Sequence, residues 1–157
     1  METDPVRALD VFRQGLAYAQ THRLVFWETF LGQMAAPVEA VHGNIDHGMA
    51  LFDTALASYL QAGSIGHMPP ALANIAGLFD RIERPEVAAT LYGTVKHYSH
   101  VAMSTRLPAV VEHLRTVLGA TRFDELVATG AGMELADAVR YARHQIQLKR
   151  TELAGQT

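Results

Sequence analysis

Ala8-Leu-Asp-Val-Phe12, Gly48-Met-Ala-Leu-Phe52 and Ala88-Ala-Thr-Leu-Tyr92 stand one 40-residue step apart. In each, an aromatic follows an aliphatic residue and lies four positions after a small one. Residues four apart share a helix face, so each segment reads as one helix with a bulky and a small position on the same side. A 40-residue period has room for two helices and their turns. The recurrence therefore predicts stacked helix pairs, with the aromatic of each unit in the groove against its neighbour.

Working outward, Asp4-Pro5 has the form of a capped helix start, and Leu9, Phe12, Leu16 and Ala19 continue it to about Gln20. A second helix follows the turn at residues 21–23, with Leu24, Trp27, Phe30, Leu31 and Met34 expected on its apolar face. Pro37 is expected to kink it before Gly43-Asn44 ends it. Ile45 to Gln61 forms a third helix, with Asp46 near its positive end. Gly63, Gly66 and Pro69-Pro70 mark a loop, and Leu72 to Phe79 a fourth helix. Pro85 opens a fifth that is expected to reach about His100. Beyond it the 40-residue pattern lapses. Leu107 to Leu118, a short helix stopped at Gly130, and a last helix striped by Leu135, Ala138, Val139, Ala142 and Ile146 read as a cap. No window alternates like a strand. The expected fold is a single all-α domain of about eight helices spanning 1–157. Residues 1–103 would be tetratricopeptide-like helix pairs and 104–150 the atypical C-terminal cap.

Composition narrows the chemistry. The 157 residues include no cysteine, which removes thiolate nucleophiles, disulfides and thiolate metal sites. Thirteen Lys and Arg against 16 Asp and Glu give a net charge of −3 without any large block of one sign. Direct contact with nucleic acid is not expected from such a balance. No apolar run approaches the roughly 18 residues of a membrane span, and residues 1–5 do not open like a signal peptide. The expectation is a cytoplasmic chain without a cofactor.

Three segments carry a family resemblance. They are Arg84-Pro-Glu-Val-Ala-Ala-Thr-Leu-Tyr-Gly93, Leu118-Gly-Ala-Thr-Arg-Phe-Asp-Glu-Leu126 and Gly130-Ala-Gly-Met-Glu-Leu-Ala-Asp-Ala-Val139. In this order, over roughly residues 40 to 150, they resemble the C-terminal tetratricopeptide-like region of large actinobacterial regulators. Those regulators join a signal-transducing ATPase module to a helical-repeat sensor, often with a LuxR-type helix-turn-helix or an adenylate cyclase domain. The resemblance implies a sensor or scaffold that binds a protein partner, an effector or neighbouring domains of the same regulator. It brings no catalysis with it: the chain has no G-x-x-x-x-G-K-[ST] loop and no identifiable cyclase carboxylate pair, and no helix-turn-helix fits after Gln145. Trp27, Leu31 and Gly32 suit a first-helix position of the repeat. The matching stretch from His67 to Ala73 lacks the tryptophan, which predicts a shifted register for the fourth helix.

Candidate site residues follow from the stacked-pair geometry. Its concave groove would present Trp27, Glu28, Gln33, His67 and Asn74 to a peptide or small ligand. The aromatic and methionine set of Phe26, Trp27, Phe30, Met34, Met49, Phe52, Tyr59 and Met68 is read mainly as core. A different reading takes the chain as a free-standing all-α protein with a histidine metal site, His97 and His100 at i and i+3 being joined by His113. His42 and His47 flank Asp46, which is read as a helix-start residue. Ser58, Ser64, Ser99 and Ser104 lie in no nucleophile elbow. An apolar end left by a truncated stack would also suit a homodimer.

Overall fold

The computed structural model describes residues 4–98, 101 and 106–156. Within them the chain is all-helical, with no strand, in eight helices. These are α1 (Pro5–Thr21), α2 (Val25–His42), α3 (Ile45–Ala62), α4 (Met68–Arg81), α5 (Pro85–Val95), α6 (Leu107–Leu118), α7 (Ala120–Ala131) and α8 (Leu135–Gly155). Helices α1, α3 and α5 begin at residues 5, 45 and 85, so the 40-residue step of the sequence is a step between helix starts. The starts are built alike. Asp4 accepts from the Val6 and Arg7 N–H groups, Asn44 accepts from His47 N–H, and Pro opens both α1 and α5, where no helical donor is needed. Asn44, not Asp46, is thus the cap of α3. The next step is imperfect, since α2 starts at Val25 but α4 at Met68, three residues past a 40-residue advance.

Some expected boundaries move. The Pro69-Pro70 pair belongs to the first turn of α4, so this helix starts four residues before Leu72. Helix α2 runs through Pro37 to His42. Helix α5 stops at Val95, where Lys96 N–H bonds Tyr92 O and Tyr98 N–H bonds Val95 O to turn the chain. His97 therefore lies in that turn, and His100 lies outside the described residues.

Small residues decide how closely the helices approach. Helix α2 lies tightly along α3, because a Cβ at Gly48 would stand 2.7 Å from the Ala40 Cβ and 2.8 Å from the Ala36 carbonyl oxygen. Helices α5 and α7 meet through Gly93 and Gly130. A Cβ on the first would run into the Val127 carbonyl oxygen, and on the second into that of Thr90. The contact of α3 with α4 is thinner, filled by large side chains such as Phe52, Leu72, Ile75 and Phe79, all buried. Helix α8 folds back over α3, α4 and α5 and buries Ala138, Val139, Ala142 and Ile146. Two ion pairs fix it to α3. Arg150 makes a forked contact with Asp46 at 2.7 and 3.2 Å, and Arg143 bonds Asp53 at 2.7 Å.

Candidate interaction surface

The surface begins at the turn between α1 and α2. Arg23 adopts φ +54, a left-handed conformation costly for a residue with a Cβ, and it reverses the chain within three residues. Arg23 N–H bonds Gln20 O, and Leu24 N–H bonds Ala19 O at 2.9 Å. Helix α2 then starts at Val25 with its apolar logic inverted. Its buried residues are Thr29, Gly32, Gln33, Ala35, Ala36 and Glu39, while Leu24, Val25, Phe26, Trp27 and Met34 are exposed. Close packing against α1 and α3 requires small side chains, and the run of glycine and alanine supplies them. Phe26, Trp27 and Met34 of the same helix are therefore turned away, while Phe30 and Leu31 stay half-buried, Leu31 against Gly15 of α1.

This corrects the expectation that Leu24, Trp27 and Met34 form the core face of the second helix. Trp27 is 53% exposed and Phe26 57%. Phe52, by contrast, is fully buried, whereas its repeat equivalents Phe12 and Tyr92 are half-buried, Tyr92 being stacked on Phe123.

The exposed rings form one connected set. Phe26 meets Trp27 edge-on at 5.6 Å between centroids and lies parallel to Phe30 at 6.3 Å, and Trp27 meets Phe30 edge-on at 6.2 Å. Phe26 also meets His67, on the α3–α4 connection, at 6.1 Å. His67 stacks on Tyr59 of α3 at 5.2 Å, and the Tyr59 hydroxyl donates to Gln33 Oε1 in the interior. Burial pushes the Tyr59 phenol up, so it stays a donor. Three of the five predicted groove residues, Trp27, Gln33 and His67, are thereby linked through Phe26 and Tyr59. Gln33 is buried and acts from below the surface. Glu28 accepts a 3.4 Å bond from Gln20 and lines a 130 Å³ cleft with Leu16, Thr29, Gly32 and Leu51. Asn74 is exposed on α4, and no hydrogen bond ties it to the others. Ile65, exposed on the connection that carries His67, lies beside the patch and was not among the residues expected from sequence.

Toward the other end of α2, away from the rings, Glu39 holds α1, α2 and α3 together. Its buried carboxylate accepts from Arg13 Nε at 3.1 Å and Nη2 at 2.8 Å and from Asn44 N–H at 3.1 Å, with His47 Nδ1 at 3.4 Å. The Arg13 guanidinium chiefly holds it below the ordinary carboxylate range, against the effect of burial. On the far side of the molecule, His113 Nδ1 lies 2.7 Å from Asp80 Oδ1 beside a 300 Å³ cleft lined also by Glu83, Pro85 and Val117. His97 is exposed in its turn. Among the described residues, no three His, Cys, Asp or Glu side chains gather as a metal site. Nor is any helix there long and apolar enough to cross a membrane. No family model, curated protein or solved structure matches the chain.

Proposed function

We propose that this chain is a non-catalytic, tetratricopeptide-like interaction and sensor module of a cytoplasmic signalling or transcriptional regulator. It would act by binding a protein partner or effector and passing occupancy to neighbouring domains. The observation that carries this reading is the inversion of α2, whose largest apolar side chains are spent on the surface while small ones pack inside. Contiguous apolar surface of that kind marks recognition. The recurrence of helix starts at 5, 45 and 85 supports the stacked-pair scaffold, and the three segments between Arg84 and Val139 support the regulator context through their resemblance.

The ring series supplies a route from surface to interior. A partner seated on Phe26 and Trp27 would press on His67, and through Tyr59 on Gln33, so binding could bias the packing of α2, α3 and the start of α4 together. The test is a photo-crosslinking side chain at position 34, exposed on the ring side of α2, used in cells that naturally make the protein. Adducts with a second copy or with a signalling protein are expected, and Trp27→Glu should abolish them. Absence of any adduct, or adducts indifferent to Trp27→Glu, would refute the reading.

A further inference from the structure

Nine of the eleven large apolar side chains that stand exposed among the described residues lie on α1, on α2 with its leading Leu24, or on the α3–α4 connection, the other two being Val117 and Leu148. Five of the nine lie on or beside the ring face: Phe26 and Trp27 belong to it, Leu24 and Met34 stand three before and seven after Trp27 on the same side of the helix, and Ile65 is on the connection that carries His67. Each is between 39% and 66% open. At about 200 Å² for a large side chain, that is on the order of 500 Å² of apolar surface.

Resting on the interaction-module reading, we infer that the occupant of this patch is a second copy of the same chain, docked α2 against α2 about a two-fold axis. Three observations carry this. A standard interface buries about 800 Å² per partner, and homodimer interfaces are about two-thirds apolar, which matches what the patch supplies. From residue 24 to 34 the only charged residue is Glu28, which Gln20 engages, so self-apposition desolvates little charge. Arg23 sits at one end of the strip, and antiparallel apposition sets it beside position 34 of the other copy, keeping the two cations apart. The described surface offers no second apolar patch of this size, so a head-to-tail contact has nothing to dock on. An isologous contact uses the same patch twice and closes.

Sedimentation of the full chain at about 100 µM, above the micromolar dissociation constants of modest interfaces, tests this. The wild type is expected at twice the chain mass of 17.2 kDa. Met34→Glu and Trp27→Glu, both at open positions and each entering a two-fold interface twice, should each weaken association about a thousandfold and return it to a single chain mass, with far-ultraviolet circular dichroism unchanged. Val117→Glu, away from the patch, should leave the dimer intact. A monomeric wild type, or a dimer surviving both α2 substitutions, overturns the inference. If that monomer still crosslinks from position 34 to another protein, the interaction-module reading stands without it; if it crosslinks to nothing, both fall.

Discussion

Glu39 keeps its charge in the interior because three N–H donors converge on it, two from Arg13 of α1 and one from Asn44 on the α2–α3 connection, with His47 of α3 beside them. Its folded-state affinity for a proton is depressed from the ordinary 4.5, so it adds stability that is complete above that value and lost as pH falls through the lower, folded one. The urea midpoint should therefore hold from neutral pH to about 5 and decline below it. Glu39→Gln should begin lower at pH 7 and decline less steeply, the remaining slope including Asp46, held down by Arg150, and Glu152, held down by Lys149 and Arg84. An acid limb identical in wild type and Glu39→Gln would refute this role. Two aromatic truncations separate core from surface. Phe52→Ala should cost about 3–5 kcal/mol in denaturant unfolding, as deletion of a fully buried ring does. Trp27→Ala should cost clearly less, about 1–2 kcal/mol, because half of the indole already faces solvent and its ring contacts lie at the surface. Comparable losses at both positions would contradict the inverted face of α2.

At the scale of elements, helix identity was legible and helix orientation was not. Proline starts, glycine stops and apolar periodicity located α1, α3, α6 and α8 to within a few residues, since those signals are local. The rotation of α2 about its own axis depends on what lies beside it. Gly48 on α3 admits Ala36 and Ala40, and so decides which residues of α2 face in, a fact invisible within the α2 segment. The same blindness left the groove half right: Trp27, Gln33 and His67 converge through rings contributed by Phe26 and Tyr59, while Glu28 and Asn74 do not join them. Close helix crossings also predict where a methyl group is tolerated. Gly93→Ala and Gly130→Ala each drive a Cβ into a carbonyl of the facing helix and should cost about 2–3 kcal/mol or more. Gly77→Ala in α4 meets only the Val110 side chain at 3.9 Å and should stabilise by about 0.5–1 kcal/mol through helix propensity. Thermal unfolding of the three variants checks the ranking, and equal losses would refute it.

Across the whole molecule, the 40-residue step describes the first half well and the closure of the core poorly. In a linear repeat stack each unit touches its neighbours, and removing a terminal helix costs only that contact. Here α8 lies over α3, α4 and α5 and pairs Arg150 with Asp46 and Arg143 with Asp53, so it works as a lid over these three helices. Ending the chain after Gly132 should therefore abolish cooperative unfolding altogether. A truncated protein that keeps a sharp transition would restore the linear picture. Sequence periodicity could identify α8 as amphipathic but not say where its stripe lands, because that contact spans about 100 positions. The lid also sets an order of events during synthesis. Helices α3, α4 and α5 leave the ribosome with an uncovered apolar side and must wait for α8 before their core is sealed. Until then that apolar side is open to misassembly, so a chain ended within the last helix is expected to be an early target of proteolysis.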